Sequence, residues 1–208
     1  MKRIALIIVG LALGGLATTA AHACSCLPAT AEDMLRQGFP VANVLVTGIE
    51  VSNPELGTLA LTADVLQSFT GDMPDEVAIS TEGTTAACGV PVAVGEAATV
   101  VLHPMPEAEK ESYAINLCTS MPVDDAAALP VLEQFADRRA AGEGVWIDVV
   151  AFQRLLATHP HPDELRTAFP EVLFVLPGEI ATREFRYDQS RFFAQLDDSG
   201  LVYGGEFQ

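Results

Sequence analysis

The chain has 208 residues, of which half are apolar, and carries 28 acidic against 11 basic side chains for a formal charge of −17. Such a surface repels phosphate backbones, so nucleic acid and anionic membranes are excluded as partners: binding them draws on clustered Lys and Arg. The length suits one domain, or one domain with an appendage.

Lys2 and Arg3 precede an apolar run from Ile4 to Ala17, and Ala21-His22-Ala23 follows as a small-x-small motif. This is the pattern of a cleavable signal peptide over residues 1–23, which makes Cys24 the new N-terminus. The alternative of a retained anchor needs roughly 20 apolar residues, more than this run supplies. A lipoprotein signal also puts cysteine first, but favours a larger aliphatic residue where Ala21 stands and a small one at His22. Cleavage removes two basic side chains and no acidic one, which takes the charge from −17 to −19. No later run is long and apolar enough to span a bilayer, so the expectation is a secreted or periplasmic protein with no membrane span after cleavage.

Cys24, Cys26, Cys88 and Cys118 all follow the cleavage point. An even count in an oxidising compartment reads as disulfides, and three pairings are formally open. Joining Cys24 to Cys26 closes a tiny strained ring, so each more plausibly reaches a distant partner. The alternative is a Cys-x-Cys metal site completed by Cys88 and Cys118, which export disfavours.

Residues 31–37 predict a short helix. Val41 to Val51 is rich in β-branched residues and Leu59 to Gln67 alternates roughly, so both predict strands joined by the loop SNPELG. Further strands are expected at Glu76 to Ser80, Ala97 to His103 and Tyr113 to Leu117, divided by Gly and Pro turns. Five short strands in so little chain, with no convincing helix between them, suit a small closed barrel such as the OB-fold, making the chain mainly β. After Cys118, Asp124-Asp125 is placed to cap a helix whose Leu129, Leu132, Phe135 and Ala136 share a face, stopped by Gly142-Glu143-Gly144. Helical spacing resumes over Ile147 to Leu155, and Pro162 opens a helix that Pro170 ends. Strands are expected at Phe185 to Tyr187, Ser190 to Leu196 and Leu201 to Tyr203, with Asp197-Asp198 in the last turn. Residues 124–208 thus read as an α+β subdomain or extension.

The segment Cys24-Ser25-Cys26-Leu27-Pro28, a short linker and the strand ANVLVTGIEV together resemble the inhibitory domain of the tissue inhibitors of metalloproteinases, within the netrin-like superfamily. Ala87-Cys88-Gly89-Val90 and Ile115-Asn116-Leu117-Cys118 sit near the spacings of that family's next bridged cysteines. The resemblance covers residues 24–123. It implies a five-stranded OB-fold barrel with bridges Cys24 to Cys88 and Cys26 to Cys118. It also implies inhibition without enzymatic activity and without a cofactor of its own: the free amine and carbonyl of Cys24 chelate, in trans, the catalytic zinc of a metalloprotease. A catalytic zinc keeps one open position, and a five-membered N,O chelate can displace the water there. Ser25 is then aimed at the protease's specificity pocket, and Leu27, Pro28 and Thr85 to Cys88, with Ala86 and Ala87 between, complete the contact ridge. The family's third bridge is missing. A non-inhibitory periplasmic or extracellular protein-binding module is the alternative, because fold similarity does not carry function.

Other candidates are weaker. His159 and His161 form a His-x-His pair next to Asp163-Glu164, yet flanking prolines predict a solvated loop. His103 ends a strand before Pro104 and reads as a strand-edge residue. No nucleophile elbow, zinc-binding helix or phosphate-cradling loop occurs.

Overall fold

The computed structural model describes residues 30–105, 112–118, 120–121, 127–182, 184 and 186–208, so the leader and Cys24 to Pro28 lie outside the described residues. The first element, α1 (Ala31–Arg36), is too short to persist on propensity alone. It is held by a capping box: Asp33 N donates to Thr30 Oγ1 at 3.1 Å and Thr30 N donates to Asp33 Oδ2 at 2.9 Å. Met34 and Leu35 then anchor it in the core.

The chain is mainly β. A seven-stranded sheet contains β1 (Val41–Asn53), β2 (Thr58–Ser68), β3 (Glu76–Glu82), β4 (Ala97–Val101), β5 (His103–Pro104), β6 (Ser112–Ala114) and β7 (Ser120–Met121). Their order across the sheet is β5-β6-β3-β2-β1-β4-β7. The pairing of β3 with β6 is parallel and the others are antiparallel. Only Leu102 separates β4 from β5. The run 97–104 therefore pairs with β1 at its start and with β6 at its end, so one stretch of chain touches both ends of the strand order and curls the sheet. Leu102 N continues the register with the β1 side by donating to Pro40 O at 2.8 Å.

Both faces of the β1 and β4 segment are buried, because successive side chains of a strand point to opposite faces. Ala42, Val44, Val100 and Leu102 join Leu61, Ala63, Val77, Ile79, Tyr113 and Ile115 on the inner side. Val41 and Val101 pack outward against Met34, Leu35 and Phe69, and against Ala128, Leu132 and Phe135 of α2 (Ala128–Ala140). Two-sided burial is why VANVLV reads as a nearly continuous apolar run. Beyond Val46, β1 keeps only β2 as a neighbour, and the hairpin runs out to exposed Val51 and Leu56.

The C-terminal residues bury a second core. Two more helices, α3 (Val149–Leu156) and α4 (Pro162–Ala168), cover a three-stranded sheet of β8 (Leu173–Val175), β9 (Arg191–Leu196) and β10 (Val202–Phe207), in the order β10-β9-β8. Phe152, Phe169, Phe174, Phe192 and Phe207 fill it. This core is tied to the curled sheet through α3: Val150 packs into the inner cluster, and Gln153 Nε2 donates to Gln37 O at 2.7 Å and Gly38 O at 3.1 Å.

Several sequence expectations require correction. The helix α2 is capped by Ala127 with no side-chain hydrogen bond, in place of Asp124-Asp125, which lie outside the described residues. No strand runs to Tyr187; residues 186–190 are irregular, and Tyr187 has a left-handed φ of 55°, which no strand accommodates. The strand expected at Tyr113 to Leu117 stops at Ala114, because Asn116 to Cys118 turn back on themselves, Cys118 N donating to Asn116 Oδ1 at 2.9 Å. By contrast, Pro162 stands in the first turn of α4 and Asp197 closes the final turn, accepting from Ser199 N at 2.8 Å and Leu201 N at 2.9 Å. Among the described residues no helix is long and apolar enough to cross a membrane.

Candidate functional site

Of the expected contact ridge, Cys24, Ser25, Cys26, Leu27 and Pro28 are outside the described residues, while Ala86 and Ala87 are exposed. They lie in a single 3₁₀ turn, Thr85–Ala87, that follows β3. The turn is short but heavily cross-linked. Thr84 O accepts from Ala87 N at 3.1 Å and from Gly89 N at 2.8 Å, and Cys88 N donates to Thr85 O at 3.1 Å. Cys88 then adopts a left-handed φ of 67°, and Val90 N is fastened to Thr81 Oγ1 at 3.1 Å. At Gly83, N–H donates to Gly57 O at 2.8 Å, joining the turn to the end of the β1–β2 hairpin. The result is an exposed, backbone-braced platform over residues 83–87, of the kind that presents contacts without first having to be ordered.

The platform also brings the later cysteines together. Leu117 N donates to Cys88 O at 2.9 Å, so the Cys118 segment lies directly beside Cys88. Among the described residues no cysteine is a free thiol.

The two histidines of THPHP are drawn apart. His161 caps α4, its Nδ1 accepting from Asp163 N at 3.4 Å, and Glu164 returns the contact by accepting from His161 N. His159, at a left-handed φ of 51°, faces a cavity instead. Among the described residues no group of three or more His, Cys, Asp or Glu side chains is arranged to hold a metal ion.

His103 lines the same cavity from the barrel side. Its ring lies against Phe39 with centroids 4.3 Å apart, and its buried Nε2 has no hydrogen-bond partner. Burial pushes its pKa below the ordinary value of 6.5. The unfolded chain therefore takes up a proton near pH 6.5 that the folded chain refuses until lower pH. Stability from this group is fully present above that pH and is lost as the pH falls through and below it. Denaturant titrations at about pH 7.5 and about pH 5.5 should show the wild type weakening more than His103→Gln. Equal losses would mean that the imidazole is solvated in the folded state.

The cavity measures ≈ 590 Å³ and opens between β5, α3 and β10. Sequence reasoning missed it because its walls come from five separate stretches of the chain. The only local signal was an unusual Tyr203-Gly204-Gly205 within a strand. No protein-family model matches the chain, and no curated protein matches it.

Proposed function

We propose that this chain is an exported inhibitor of zinc metalloproteases, built on an OB-type barrel and acting through the amine and carbonyl of Cys24. One observation carries the reading: the Leu117 to Cys88 hydrogen bond sets Cys88 and the Cys118 segment side by side next to an exposed platform. In an extended Cys24-Ser25-Cys26 segment the two cysteines stand about 6.6 Å apart and on one face. Two neighbouring anchors are what such a segment needs if Cys24 is to bridge to Cys88 and Cys26 to Cys118. Bridges of that kind hold the N-terminus against Ala86 and Ala87, and little freedom is lost when it docks. The α-amino group, with an ordinary pKa of about 7.7 to 8.0, gives up its proton readily to a competing zinc.

The barrel assignment draws support from the pairing sequence. Counting 97–104 as one strand, the pairing runs β1-β2-β3-β6, then through 97–104 back to β1, with β3 and β6 parallel. That is the connectivity of a closed five-stranded Greek-key barrel.

A non-inhibitory periplasmic or extracellular binding module is favoured by one feature. Four cysteines leave none for a third bridge, so the ridge is braced by hydrogen bonds where the resembling family uses a covalent link. Intact mass and N-terminal analysis before and after reduction, followed by assays against zinc proteases, separate the two. The inhibitor starts at an unblocked Cys24, gains four hydrogens on reduction, and loses inhibition when one alanine is added before Cys24. An acylated Cys24, another first residue, or inhibition indifferent to the added alanine would overturn it.

A further inference from the structure

We infer that the cavity between β5, α3 and β10 is a binding site for a small organic cation with an apolar body, independent of the inhibitory ridge. Its ≈ 590 Å³ is within the range that holds a small molecule, and a second hollow of ≈ 400 Å³ continues from it, sharing Gln195, Tyr203 and Glu206. Phe39, Pro104 and Leu156 supply an apolar wall. Among the described residues no Lys or Arg lines either hollow.

Glu206 is the acidic group common to both linings, and Glu179 adds a second carboxylate to the smaller hollow. The Glu206 Oε1 accepts from the Gln208 amide, and among the described residues its Oε2 takes no hydrogen bond. An anionic ligand would meet that carboxylate with no Lys or Arg among the described lining residues to offset it, and a neutral one would strip its water without replacing the lost interaction. A cation satisfies it, and the half-exposed Tyr203 ring beside it offers a second attraction through its π face. The floor is already set, because the Gln153 amide is spent on Gln37 O and Gly38 O and is not free to collapse inward.

Gly204 is the informative wall residue. At Gly205 a Cβ would strike Phe193 O at 2.4 Å and the Phe192 ring, so packing alone demands glycine there. At Gly204 a Cβ would meet only Gln195 Oε1, at 3.8 Å, and φ is not left-handed. The fold does not require glycine at 204; an open cavity does.

The test is titration of the whole, disulfide-intact chain with benzyltrimethylammonium chloride and with sodium benzoate at physiological salt, followed by backbone amide shifts. Saturable shifts at residues 203–206 with the cation, at least about tenfold tighter than with benzoate, are expected. Gly204→Leu should abolish them with an unchanged melting temperature. Glu206→Gln should weaken the cation by about tenfold and leave benzoate no weaker, narrowing the gap between the two probes, which keeps the test decisive if the leucine variant folds poorly. Equal binding of the two probes, or cation binding that survives in a folded Gly204→Leu or is unaltered in Glu206→Gln, would overturn the inference.

Discussion

Phe152→Ala is expected to cost about 3 to 5 kcal/mol and to lower the melting temperature by roughly 10 °C, because it empties the centre of the C-terminal core. The ring is fully buried and sits among four others, with centroids at 5.0 Å from Phe192, 5.2 Å from Phe207, 5.3 Å from Phe169 and 6.5 Å from Phe174. These four come from β9, β10, the end of α4 and β8, so no single neighbour can move in to fill the hole. The neighbouring Val150 packs into the barrel's inner cluster, so the damage should reach the barrel as well. Thermal unfolding followed by circular dichroism checks both points. A loss below about 1 kcal/mol, or two separate transitions with the barrel unaffected, would contradict the packing described.

Gly89→Ala should be the most damaging change near the contact platform, at about 3 kcal/mol. A Cβ there would lie 1.8 Å from Glu82 O and 2.9 Å from Thr84 O, both backbone atoms that cannot swing aside as a side-chain end would. Relief requires residues 82–84 to move. That breaks the Gly89 to Thr84 and Val90 to Thr81 hydrogen bonds and displaces Cys88, whose carbonyl holds Leu117. Amide hydrogen exchange of Leu117 is the sensitive readout, since its protection should fall even where the rest of the barrel stays intact. An unchanged melting temperature together with a protected Leu117 would show that the turn tolerates a side chain and is not braced as drawn.

Much of the larger sheet was legible because its elements carry local signals. The β1–β2 hairpin announced itself through two long apolar strands around Asn53 to Gly57, where Asn53 Oδ1 accepts from Glu55 N and Leu56 N. The start of α4 was readable from Pro162. The strand β8 was not: three residues are too few to display a period of two, and its parallel pairing with β9 is a long-range contact. The expected strand at Phe185 to Tyr187 failed for a related reason, since apolar and aromatic content cannot reveal a backbone bent into the left-handed region at Tyr187.

The candidate site divides in the same way. Sequence alone marked the turn-rich stretch around Gly83, because glycines between strands mark a loop wherever the chain goes, while Ala86 and Ala87 were singled out only by the family resemblance. Sequence alone also determined the charge of −17 and the even cysteine count, which need no geometry. Tertiary structure decided that Cys88 and the Cys118 segment lie together, that His159 parts from His161, and that His103 and Glu206 line one cavity. The physical reason is that hydrophobic patterning specifies which face of an element is buried, while only the packing of distant elements specifies what that face meets.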